Sequence, residues 1–125
     1  MPRKSRILIG AGSPADAELI ESCLEEVDCT TAVAINGHDL LEKAQSLHPD
    51  LVLLESMLRG LDGLEICKRL KAAPATRGVT ILMVIELNAV RDIERAVRAG
   101  TDDFLSKPVD RSQLVQRVRN LLKNP

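Results

Sequence analysis

The chain has 125 residues, of which 45% are hydrophobic and 28% are charged, and its formal net charge is −1. These values fit one compact domain with an aliphatic core, because Phe104 is the only aromatic residue. They argue against modules that stack nucleic-acid bases on exposed rings and against a basic nucleic-acid or membrane surface. No apolar run approaches the roughly 20 residues that a membrane-spanning helix needs.

Five short apolar runs alternate with five segments whose apolar residues recur at helical spacing. In chain order they predict a strand over 6–9, a helix over 14–27, a strand over 30–35, a helix over 40–47, a strand over 51–54, a helix over 64–70, a strand over 80–85, a helix over 93–99, a strand over 103–105 and a helix over 114–122. Ser13 is expected to cap the first helix and Gly100 to end the fourth, and Asn36-Gly37 is predicted to form a turn.

Apolar strands that alternate with helices imply an α/β domain with a parallel sheet and helices on both faces. In such sheets the functional crevice lies at the carboxyl ends of the strands. The segments expected there are 10–13, 55–58, 85–87 and 106–108.

Cysteine and histidine give no sign of a metal site. Cys23, Cys29 and Cys67 have no paired-ligand spacing, which favours reduced thiols in a cytoplasmic protein. His38 and His48 are ten residues apart, and we expect both at the surface.

Three stretches resemble the receiver domains of response regulators in two-component signalling: residues 7–14, 49–63 and 99–108. The resemblance covers essentially the whole chain. It implies a doubly wound, five-stranded (βα)₅ fold of the flavodoxin-like class and a role in phosphorelay signalling. It also implies that residues 1–125 are a single receiver-like domain, which is compatible with excision from a longer protein that carries an output domain.

The positions that match the family's phosphotransfer residues are largely altered here. The acidic pair that holds Mg²⁺ in the family corresponds to Ala11 and Gly12, and the phosphoacceptor aspartate to Glu55. The family's Thr or Ser at the end of the fourth strand corresponds to Ile85.

Two features of the family pattern are retained. The lysine before a proline is present as Lys107-Pro108, and the aromatic switch position is occupied by Phe104.

These differences imply that Mg²⁺ binding is lost or weak, and we expect no cofactor. Mg²⁺ prefers several oxygen ligands in octahedral geometry, and two of three carboxylates are missing. The charges of Glu55 and Lys107 sum to zero, so we predict an ion pair between them in place of the metal site. Glu55 then either imitates the phosphorylated state or is an inert polar residue.

Other functions agree less well with the sequence. Gly10–Ala15 matches a GxGxxA dinucleotide fingerprint, but the acid expected after the second strand is absent. Phosphate could alternatively be accepted on Glu55 or through unidentified ligands. Glu86, Asp102 and Asp103 are interpreted as loop or edge charges, and no catalytic set is predicted, so we do not expect an enzyme.

The resemblance implies a protein partner, for instance a histidine kinase or an output domain. It places the contact surface, which would also serve a homodimer, on the fourth helix, the fifth strand and the fifth helix. The charged and polar residues of that surface are Arg91, Asp92, Glu94, Arg95, Arg98, Asp103, Arg111, Gln113 and Arg117.

Overall fold

The computed structural model describes residues 4–58, 62–85 and 90–123, with the backbone alone for residues 90–92. Strands and helices alternate from one end to the other. The elements are β1 (Ser5–Gly10), α1 (Pro14–Leu24), β2 (Cys29–Ala34), α2 (Gly37–Leu47), β3 (Leu51–Glu55), α3 (Gly63–Ala72), β4 (Thr80–Ile85), α4 (Val90–Ala99), β5 (Asp103–Ser106) and α5 (Arg111–Lys123).

The strands form one parallel sheet in the order β2-β1-β3-β4-β5. Gly10 at the end of β1 lies level with Ala34 of β2 and with Leu54 of β3. The strand order reverses between β1 and β3, which is the switch point of a doubly wound sheet. The predicted flavodoxin-like fold class is therefore confirmed.

The core has two layers, one on each face of the sheet. On one face α2, α3 and α4 pack against strand residues such as Leu8, Val52 and Met83. On the other face α1 and α5 pack against residues such as Ile9 and Leu53. Every residue of β3 is buried, as expected of a central strand covered on both sides.

Side chains cap four of the described helices, α1, α2, α3 and α5, at their amino ends. Ser13 accepts a hydrogen bond from the Asp16 amide at the start of α1, which confirms the predicted cap. The prediction of a turn at Asn36-Gly37 is wrong. Asn36 Oδ1 accepts from the Asp39 amide at 2.8 Å and caps α2, of which Gly37 is the first residue. An Asn-Gly pair is compatible with a turn and with the start of a helix. At a helix start, the short asparagine side chain accepts a hydrogen bond from an amide of the first turn.

Charged side chains bond the backbone at one residue on each edge of the sheet, Val33 in β2 and Phe104 in β5. At the β2 edge, Lys43 Nζ donates to the Val33 carbonyl at 2.7 Å. At the β5 edge, the Phe104 amide donates to Asp103 Oδ1 at 2.8 Å, and the Phe104 carbonyl accepts from Arg117 Nη1 at 2.9 Å. The backbone groups at these points are therefore bonded to side chains.

The histidine side chains lie at the surface, as the sequence predicts, and the cysteine thiols lie mostly inside the domain. The three cysteines are free, with Cys23 and Cys67 buried and Cys29 partly buried. His38 and His48 are both exposed. Within the described ranges, no helix combines the length and apolar character needed to cross a membrane.

Candidate functional site

The candidate site lies at the carboxyl edge of the sheet, where the loops after β1, β3 and β5 meet. Gly12 follows β1, Glu55 is the last residue of β3, and Lys107 follows β5. The structure brings these three residues together, although 43 and 52 sequence positions separate them.

Both carboxylate oxygens of Glu55 are bonded within the chain. Oε2 lies 2.5 Å from Lys107 Nζ, and Oε1 accepts a hydrogen bond from the Gly12 amide at 2.7 Å. The Glu55 side chain is only 3% exposed, whereas that of Lys107 is 31% exposed. The predicted ion pair between Glu55 and Lys107 is thus confirmed, and the Gly12 amide is a second partner that the sequence did not reveal.

Asp16 is a further acidic neighbour. Its Oδ2 lies 3.6 Å from Lys107 Nζ, and its side chain is 43% exposed. Sequence reasoning missed this residue. The available signal was its place in the first turn of α1, because that turn starts at the same edge of the sheet as the family's site.

Ala11 and Gly12 fill the space in which the family carries its acidic pair. Ala11 is fully buried in the α1–α5 layer, and its amide donates to the Ala34 carbonyl. A Cβ on Gly12 would lie 2.8 Å from the Met57 carbonyl oxygen, which is closer than Cβ atoms normally approach. The loop after β3 therefore packs onto Gly12 at a distance that only glycine allows.

Of the remaining matched positions, Ile85 and Phe104 pack against the core, whereas Pro108 does not. Ile85 is fully buried in the α2–α4 layer and offers the site only its carbonyl, which accepts from the Lys107 amide at 2.8 Å. Phe104 is half-buried against the same layer. Pro108 is exposed next to Lys107.

Asp102 and Asp103, two further acids near strand ends, do not replace the missing pair. Asp102 accepts from Lys71 at 2.9 Å and from the Ile81 amide at 2.7 Å, so it joins α3 to the start of β4. Asp103, the first residue of β5, pairs with Arg117. Both belong to the amino end of β5, whereas Glu55 is at the carboxyl edge; Glu86 and Leu87 are outside the described residues.

The side chains at this edge are a poor fit for Mg²⁺. Among the described residues, no group of three or more His, Cys, Asp or Glu side chains is placed to hold a metal ion. Mg²⁺ needs near-octahedral oxygen ligation. Glu55, the buried carboxylate among the described side chains of this edge, already bonds an ammonium and an amide.

Much of the predicted partner surface is engaged within the chain. Three arginines form intramolecular pairs there: Arg95 with Asp62 at 3.7 Å, Arg111 with Glu26 at 2.6 Å, and Arg117 with Asp103 at 2.9 Å. The hydrogen bond from Arg111 lowers the pKa of Glu26 below its usual value.

Three other members of that surface, Glu94, Arg98 and Gln113, are exposed. The side chains of Arg91 and Asp92 are outside the described residues.

Known proteins are similar to this chain in sequence and in fold. The family model of the response regulator receiver domain matches residues 7–119. Response regulator PleD of Caulobacter vibrioides is 33% identical over 119 residues, which cover 95% of this chain and 26% of PleD. The DNA-binding dual master transcriptional regulator RpaA of Synechocystis sp. is 35% identical over 118 residues, which cover 94% of this chain and 49% of RpaA.

Solved structures agree with the sequence relatives. The signal receiver domain of a signal transduction histidine kinase from Syntrophus aciditrophicus is 31% identical and superposes with a TM-score of 0.88, covering 95% of this chain and 90% of that chain. The chain spans about a quarter of PleD and about half of RpaA. By fold and by sequence, the chain belongs to the response regulator receiver domain family.

Proposed function

We propose that this chain is a receiver-type signalling module that does not take up a phosphoryl group and that acts through contacts with protein partners. The observation that carries this proposal is the state of Glu55. Its two oxygens are bonded to Lys107 Nζ and to the Gly12 amide, and its side chain is almost completely buried. A carboxylate held in this way is a poor nucleophile toward a phosphodonor, because attack through either oxygen would have to displace the contact that this oxygen already makes.

The described side chains at this edge, among which no group is placed to hold a metal ion, support the same proposal. Phosphoryl transfer depends on a cation that neutralises the developing charge and aligns the phosphoryl group. Ala11 and Gly12 offer no carboxylate, and Ile85 has no hydroxyl to bond phosphoryl oxygens. Magnesium binding is accordingly weak or lost, and the chain carries a signal without being an enzyme.

The partner in this proposal is another signalling protein in the cytoplasm, either a histidine kinase or an output domain. Contact, including homodimer contact, is made through α4, β5 and α5. Exposed Glu94, Arg98 and Gln113 lie on this surface. Mixed charge of this kind steers association more than it adds affinity.

The experiment that tests the proposal is intact mass spectrometry after incubation with a small-molecule phosphodonor such as acetyl phosphate, with and without Mg²⁺. We expect no adduct in either condition. A Mg²⁺-dependent gain of one phosphoryl group would overturn the proposal, and the same incubation of Glu55→Ala would then show whether Glu55 is the acceptor.

A further inference from the structure

We propose that the Glu55 side chain is a permanent, metal-free tie that joins the carboxyl ends of β1, β3 and β5. The inference deepens the proposed function and rests on it in one respect, namely that Glu55 stays unmodified. It assigns the alterations at positions 12 and 55 to one structural device. The altered residues at positions 12 and 55 are then parts of one arrangement and need not be two separate losses of function.

The first step is connectivity. Glu55 ends β3, bonds the amide that follows β1 by two residues, and pairs with the lysine that follows β5. β4 lies between β3 and β5 in the sheet. The Lys107 side chain therefore crosses the end of β4, where Ile85 turns its own side chain into the core.

The second step is charge. An ionised carboxylate that is 3% exposed is costly to bury unless it is paired and hydrogen-bonded. Lys107 supplies one positive charge and Gly12 supplies a backbone donor to the buried Glu55 carboxylate, while the partly exposed Asp16 carboxylate lies 3.6 Å from the same ammonium. A divalent cation added here would compete with the lysine for the same oxygens.

The third step is reach. Glutamate is longer than aspartate by one methylene, roughly 1.5 Å. Because Gly12 has no Cβ, the Met57 carbonyl can lie where a side chain would otherwise stand. A longer acid at position 55 and a bare backbone at position 12 are therefore complementary.

Chemical rescue tests the tie directly. Glu55→Ala leaves the Lys107 ammonium and the Gly12 amide facing a cavity of carboxylate size. We expect this variant to melt several degrees below wild type, and acetate to raise its melting temperature again, because a ligand that binds only the folded state stabilises it. Neutral acetamide at the same concentration, and chloride at the same ionic strength, should not do so.

Two variants serve as controls for the rescue. Glu65→Ala removes an exposed carboxylate that pairs with Arg69, and it should show no acetate-specific gain. The double variant Glu55→Ala/Lys107→Met should lose the gain that the single variant shows. The proposal is overturned if acetate raises the melting temperature of Glu55→Ala no more than acetamide or chloride does.

A second measurement decides the matter if Glu55→Ala does not fold. Amide hydrogen exchange at Gly12 should be at least about tenfold faster in Glu55→Asp than in wild type, which corresponds to about 1.4 kcal/mol of lost protection. Exchange at Gly78 should not change. Equal amide exchange rates at Gly12 in wild type and Glu55→Asp would contradict the proposed tie. A phosphoryl adduct on the wild type would instead refute the proposed function.

Discussion

Glycine at position 12 determines how closely the loop after β3 can approach the loop after β1. We predict that Gly12→Ala lowers the free energy of unfolding by about 1–3 kcal/mol, the usual cost of forcing extra volume into a packed site. The new Cβ would lie 2.8 Å from the Met57 carbonyl oxygen, which belongs to the backbone and cannot rotate away. Urea unfolding followed by circular dichroism measures the change.

Gly78→Ala is the matched control for that prediction. A Cβ at Gly78 would meet nothing within 4 Å. Its effect should stay within about 0.5 kcal/mol. Equal effects of the two substitutions would mean that the close approach at Gly12 is not a stabilising feature of the fold.

For single residues, contacts between charged side chains are easier to predict from the sequence than contacts made by backbone amides. The Glu55–Lys107 pair was predictable, because both residues end strands at one edge of a parallel sheet and their charges are opposite. The Gly12 amide was not, because every residue except proline carries one and only the fold aims it. Asp16 was missed because its reach toward Lys107 depends on the entry angle of α1.

The side chain of Arg117, in α5, bonds two residues of β5 and so holds this helix against the edge of the sheet. Its Nη1 lies 2.9 Å from Asp103 Oδ1 and 2.9 Å from the Phe104 carbonyl. We predict that Arg117→Met lowers the free energy of unfolding by about 1–2 kcal/mol, because both bonds are lost while the aliphatic stem is kept. Chemical denaturation provides the measurement.

The exposed Arg98 of α4 is the comparison for Arg117. Arg98→Met should change stability by no more than about 0.5 kcal/mol. If the two substitutions were equally mild, the contact between α5 and β5 would owe its strength to the apolar residues alone.

All ten elements were predictable, since apolar runs alternate regularly with helical periodicity. The residues at which the elements begin and end were harder to predict. β2 begins at Cys29 and ends at Ala34, one residue before the predicted run at each end, because the ladder with β1 sets its limits. Asn36-Gly37 was misassigned because the same dipeptide suits a turn or a helix start, and only the packing of Leu40 and Ala44 decides between them.

At the scale of the whole molecule, burial affects the acidity of two thiols, Cys29 and Cys67. Burial raises the pKa of the Cys67 thiol to about 11, and it also raises the pKa of Cys29 above its ordinary value. The thiolate is the reactive form, so a raised pKa lowers reactivity at neutral pH. Cys29 alone of the three is partly exposed.

We therefore predict that one thiol per folded chain reacts with a disulfide-exchange reagent at pH 8, and that all three react after denaturation. Cys29→Ser should remove the reaction of the folded chain. Absorbance of the released thiolate counts the groups. Two or three fast groups in the folded wild type would mean that the core opens more readily than its packing implies.

The side-chain bonds at the edges of the sheet, described above at Val33 and Phe104, bear on how copies of this domain meet. A bare strand edge is a template for pairing with the strand of another chain, which leads to swapped dimers and to fibrillar aggregation. Here an ammonium bonds the edge of β2, and a carboxylate and a guanidinium bond the edge of β5. Intermolecular strand addition at these points would have to displace these charged groups.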